Sequence, residues 1–142
     1  MYRMARRPAL ALGVAAAASP ALSTGTAAQM AMPGPDAGKE LAPGVRAVQY
    51  GKGPAILPTY KQLSLVDVVF QPGSDLPPST MENDMICHIA AGELRVLQNG
   101  KEFRFKQGDV WSCATGTEEG ARNEGSTVAV MRIVDLLPTL PT

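Results

Sequence analysis

The side chains with chemistry to offer lie in two stretches, PGSDLPPSTMENDMICHIAAGEL from Pro72 and GDVWSCATGTEEGARN from Gly108. Side chains alternate between the faces of an extended strand, so Ser79 and Met81 share a face, as do Met85, Cys87 and Ile89. A thioether pair, Met81 and Met85, with Cys87 close in sequence, is donor chemistry for Cu(I). The same methionines are also what fills an irregular apolar core. Ser79 has no histidine in reach to activate its hydroxyl, so a serine nucleophile is not expected. His88, the single histidine, alternates away from Met85 and Cys87 and reads as an outward, structural residue. Glu118-Glu119-Gly120 reads as a solvated loop carrying two carboxylates. Trp111 reads as core, or as a rim residue that stacks on whatever enters a pocket.

The elements that must hold these residues are short strands. VRAVQY, KQLSLVDVVF, MICHIAA, ELRVLQ, KEFRF, DVWSC and TVAVMRIV are separated by turn sequences, and no helical period of useful length intervenes. Asn99-Gly100 between ELRVLQ and KEFRF has the residue pair of a two-residue type I′ hairpin, which needs positive φ at both positions. Gln71-Pro72-Gly73 and Gln107-Gly108-Asp109 are further turns. The pattern predicts an all-β sandwich or barrel. VDVVF and TVAVMRIV are apolar at adjacent positions, which predicts cover on both faces, one by the barrel interior and one by a partner subunit, so a homodimer is expected.

Residues 1–28 have the layout of a secretory signal: Arg3, Arg6 and Arg7, then an apolar Ala/Leu/Val run, then small residues ending at Thr26-Ala27-Ala28. The run is too short for a membrane span, so the expected product is periplasmic or secreted, without a membrane segment after processing. Arg6-Arg7 is a weak hint of twin-arginine export. Residues 29–44, rich in Pro, Gly and Ala, read as a flexible leader whose Met30 and Met32 are incidental, and residues 45–142 as the one domain. The 142-residue chain balances 13 basic against 13 acidic residues. Losing the three early arginines leaves three negative charges in excess. With no basic cluster interleaved with aromatics, nucleic acid is not an expected partner. Export also places the only two thiols, Cys87 and Cys113, in an oxidising compartment, where a disulfide and a pair of buried free cysteines remain equally open readings.

The two stretches resemble the paired motifs of the cupin superfamily, G-x5-H-x-H-x3-E-x6-G and G-x5-P-x-G-x2-H-x3-N. Gly73 and Gly92 fit the first, and Gly108, Gly116 and Asn123 the second, with the fifteen residues 93–107 between them. The resemblance covers residues 61–134. It implies a small jelly-roll barrel whose ligand slots converge near the barrel mouth. Those slots hold Ser79, Met81 and Met85 where the family has two histidines and a glutamate, and Glu119 where it has the last histidine; Ala114 takes the proline slot. Iron and manganese sites want imidazole and carboxylate donors, so no metal or other cofactor is expected. Mapped this way, Ser79, Met81, Met85, Cys87, Trp111 and Glu119 line an apolar pocket for a small organic ligand, with Glu119 as a proton donor or acceptor if burial raises its pKa. A barrel packed shut with methionines is the competing expectation. The resemblance also sets Cys87 and Cys113 on neighbouring strands, close enough to pair. The expected function is an exported cupin-like protein binding a small ligand or a protein partner, with no need for catalysis. The alternatives are a dioxygenase- or isomerase-type metalloenzyme with atypical ligands, and a Cu(I)-binding protein using Met81 and Met85.

Overall fold

Each apolar run ends on residues that leave the extended conformation, and each becomes a strand. The computed structural model describes residues 33–138, and these form β1 (Lys39–Ala42), β2 (Val45–Pro54), β3 (Gln62–Phe70), β4 (Asp75–Thr80), β5 (Asp84–Ala91), β6 (Glu93–Gln98), β7 (Lys101–Lys106), β8 (Val110–Cys113), β9 (Glu118–Arg122) and β10 (Ala129–Leu137). No helix occurs among the described residues. The Asn99-Gly100 turn has φ of 46° and 78°, as a type I′ hairpin requires. The strands build two antiparallel sheets, β1-β2-β3-β10-β5-β8 and β4-β9-β6-β7. Val68, Phe70, Ile89, Leu94, Val96 and Met131 are among the buried side chains of the core, which is the jelly-roll arrangement expected.

Three strands were not legible as apolar runs. β1 lies inside the stretch expected to be a flexible leader. It pairs with β2 through Lys39↔Ala47, Glu40↔Arg46 and Ala42↔Val45. Arg46 fastens the approach to it, donating to the Ala37 carbonyl at 3.0 Å and the Gly38 carbonyl at 2.7 Å. Four residues at a sheet edge need backbone pairing, not an apolar period. β4 carries Pro77 and Pro78, which remove two ladder donors. It tolerates them because it is an edge strand whose register with β9 breaks between Leu76 and Ser79. β9, EEGAR, hides its strand character behind two carboxylates and a glycine. That glycine is required, since a Cβ on Gly120 would sit 2.7 Å from the Pro78 nitrogen. The expected signal (1–28), Met30 and Met32 lie outside the described residues.

At the paired ends of β3 and β10, residues 67–70 and 129–131 are buried at successive positions, so both faces are covered there. On the outer face Asp67, 1% exposed, lies directly across from Arg132. Arg132 donates from Nε and from an Nη to its two oxygens, both at 2.8 Å, and Tyr50 donates its hydroxyl at 3.0 Å. The Arg132 guanidinium also lies 5.9 Å from the Tyr50 ring centroid. A buried carboxylate this well bound is costly to strand. We expect Arg132→Met to lose about 3 kcal/mol in denaturant unfolding, the low end for a buried pair because 28% of the arginine side chain is exposed. Adding Asp67→Val should recover most of that loss.

The two motifs are tied together by hydrogen bonds. Gly73 N donates to the Asn123 carbonyl at 2.8 Å, and Asn123 N to the Ser74 carbonyl at 3.0 Å. The buried Asn123 amide donates to the Phe70 carbonyl at 3.0 Å and the Thr127 carbonyl at 2.8 Å, while its Oδ1 accepts from Gly125 N at 3.0 Å. Asn123→Ala orphans these groups and should cost about 3 kcal/mol, read by chemical denaturation.

On β10, Asp135 stands opposite Met85. Burial pushes its carboxyl above the ordinary range, with Lys52 opposing. A folded-state pKa above the unfolded one adds stability at low pH and loses it as pH rises through the folded value. Asp135→Asn should therefore gain stability relative to the parent as pH climbs from about 4 through that value, and hold a constant advantage beyond it.

Candidate functional site

A turn places the central carboxylate. Asn99, at the head of the β6–β7 hairpin, donates its backbone N–H to the Glu118 carbonyl at 2.8 Å and accepts the Glu118 N–H on its Oδ1 at 2.9 Å. That clamp sets β9 in register with β6 so that Gln98 lies opposite Glu119. Glu118 remains exposed, whereas Glu119 is 5% exposed. The expectation of a solvated pair of carboxylates therefore holds for Glu118 and is corrected for Glu119, because strand alternation turns the second side chain into the barrel. Inside, Glu119 Oε2 accepts from Gln98 Nε2 at 2.7 Å, from Trp111 Nε1 at 3.4 Å and from the Cys113 thiol at 2.5 Å. Oε1 accepts from none of the described residues.

Glu119 also lines a cavity of about 340 Å³. Its walls are mainly Val68, Leu76, Met81, Met85, Met131 and Ile133, with Ser79 and Glu119 supplying polar points. The barrel is open, and the competing expectation of methionines packing it shut is not met. Four of the six expected pocket residues, Ser79, Met81, Met85 and Glu119, are brought together here. Ser79 is exposed at the mouth, directly across the ladder from Glu119. Cys87 and Trp111 are not in the lining, which corrects their assignment as pocket walls. Cys87 is fully buried behind it. Trp111 stacks on Phe105 at a centroid distance of 4.1 Å and an interplanar angle of 4°, and that packing holds its indole N–H on Glu119.

The reading from sequence missed Gln98 and the contribution of β10. Both carry a signal in retrospect. Gln98 continues the inward phase of Leu94 and Val96, a polar side chain where an apolar one would be routine, and Met131 and Ile133 continue the inward phase of β10.

Cys87 and Cys113 are free thiols. The strands are neighbours as the resemblance implies, but the register pairs Met85 with Cys113 and Cys87 with Trp111. The cysteines are therefore diagonal neighbours on one face and not directly opposite each other. Of the two readings left open, the structure has the buried free thiols, and their sulfurs and a Glu119 oxygen all lie within 4.8 Å of one another. A hydrogen bond with Cys113, then burial, then the charge of Glu119 drive the Cys87 thiol far up from its ordinary range. It is protonated at neutral pH and no nucleophile. His88 lies opposite Arg132 and Val110 on the outer face, out of reach of the cavity. With one carboxylate, two thioethers and a hydroxyl in the four slots and the imidazole outside, the slots do not fit the iron or manganese site of the resembled family.

No family model matches the sequence, and no curated protein does. Solved structures do. KdgF from Halomonas sp. superposes with a TM-score of 0.57 at 22% identity, covering 72% of this chain and 86% of its own. An RmlC-like cupin from Shewanella frigidimarina gives 0.56 at 16% identity, covering 71% and 82%. A predicted oxalate decarboxylase from Thermotoga maritima gives 0.55 at 24% identity, covering 66% and 80%. Likeness at such identities carries architecture and not chemistry, and the architecture is unambiguous: the chain has the fold of the cupin superfamily.

Proposed function

We propose that this protein binds a small organic molecule in the barrel, one with an apolar body and a single hydroxyl or amine that meets Glu119. The observation that carries the reading is the cavity of about 340 Å³, apolar except at Ser79 and Glu119. That volume falls in the range of small-molecule sites, and so does a lining of hydrophobic side chains with few polar anchors. The three donors gathered on Oε2 fix the carboxylate in one orientation and leave Oε1 as the acceptor for the ligand. Ser79 offers a second polar contact at the mouth. Such a site is built for recognition. The dioxygenase- or isomerase-type alternative has no hard-metal donor set in the four slots to support it. Export belongs to the same proposal, on the strength of Arg3, Arg6 and Arg7 ahead of an apolar run.

Trp111, the only tryptophan, touches Glu119 and so reports on its occupancy. A panel of hydrophobic amines and alcohols titrated into metal-free protein should change its fluorescence with saturation at one equivalent. Glu119→Gln should weaken the best binder roughly 10–100-fold, the worth of a charge-assisted hydrogen bond, and Met131→Phe, which fills the cavity, should abolish binding. A panel without a binder, or binding that survives Met131→Phe, overturns the reading.

A further inference from the structure

Behind the cavity wall, two thiols and a carboxylate sit together for no evident packing reason. Two cysteines alone would serve as small hydrophobes, but these two share their buried space with a glutamate, and a neighbouring amide is aimed at Cys113 and at that glutamate. Gln98 Nε2 donates to Cys113 Sγ at 2.9 Å as well as to Glu119 Oε2 at 2.7 Å. Trp111 adds its N–H to the same oxygen. Donors already turned toward the anion-forming atoms are what surrounds the ligands of a thiolate metal site. The slots of the resembled family contribute only Glu119 to this cluster; Cys87 and Cys113 lie outside them.

We propose that Cys87, Cys113 and Glu119 form a site for a thiophilic divalent cation of the zinc type, with its fourth position open toward the cavity. Zinc binds thiolate sulfur at about 2.3 Å and carboxylate oxygen at about 2.0–2.2 Å in a tetrahedron, so its donors stand about 3.5–3.8 Å apart. The three donor atoms here lie within 4.8 Å of one another, and small side-chain rotations close them on an ion. The hydrogen bond from the Cys113 thiol to Glu119 gives way to the metal. Both thiols ionise as the cation binds, so two protons leave for each ion taken up and the site carries one net negative charge, with the Gln98 and Trp111 N–H groups directed at it. Glu119 and Met85 line both the cavity and this cluster's front, which gives the ion its path of entry. The site shares Glu119 with the organic-ligand site proposed above and adds the two thiols behind the wall, so it does not need that ligand.

Cobalt(II) is the probe, added to reduced, chelator-treated full-length protein. One equivalent should give a thiolate-to-cobalt charge-transfer band and tetrahedral ligand-field bands, and zinc should bleach both. Cys113→Ser should lose the charge-transfer band and at least 100-fold in affinity. Gln98→Leu, which leaves the three ligands in place, should retain the bands and lose roughly 10–100-fold, so the proposal does not hang on a cysteine variant that fails to fold. Met131→Phe should reach the parent's cobalt affinity at equilibrium, with slower uptake through the filled cavity, while losing the organic ligand, which separates the two kinds of binding. The proposal is overturned by the absence of a charge-transfer band in the reduced parent or by the same band in a folded Cys113→Ser. It is also overturned by metal uptake that is lost in Met81→Leu/Met85→Leu and kept in Cys113→Ser.

Discussion

A carboxylate turned into an apolar barrel needs hydrogen-bond donors or it costs several kcal/mol, and the interior of this protein is arranged around that need. Glu119 receives an amide, an indole and a thiol on a single oxygen. The donors come from both sheets: Gln98 from β6, and Trp111 and Cys113 from β8 in the opposite sheet. The interaction thus spans the sandwich, joining its two sheets through polar contacts beside a hydrophobic core. Among the described residues nothing donates to Oε1.

Position in this barrel is set by residues that do no chemistry. The Asn99-Gly100 turn hooks Glu118 and so sets the phase of β9. Gly120 lets the proline-bearing edge strand β4 approach it, and Asn123 binds the start of one motif to the end of the other. None of these depends on what fills the ligand slots, which is why a cupin frame persists around Ser79, Met81, Met85 and Glu119. An inner wall of methionines keeps the cavity polarizable and adaptable in shape, while the ion pair of Asp67 and Arg132 secures the outer face without taking space from the interior.

Much was legible from sequence. Turn chemistry and alternation fixed seven strands, the hairpin and the inward face of Met85, Cys87 and Ile89, because φ preferences and the two-residue period are local properties of the chain. The spacing of five framework residues named the architecture. β1, β4 and β9 were not legible, since an edge or polar strand is held by the neighbour it pairs with, and neither Pro77-Pro78 nor EEGAR announces that neighbour.

What the sequence by itself determined was the set of donors and which of them share a strand face. Only the tertiary structure decided which donors meet. Burial of Glu119 and exposure of Glu118 follow from how β9 registers with β6, and the diagonal placement of Cys87 and Cys113 follows from how β5 registers with β8. Whether the barrel is open or filled depends on side chains from both sheets meeting across several strands. These are contacts between residues far apart in the chain, and register between strands is a collective outcome of packing and turn geometry that no single segment encodes.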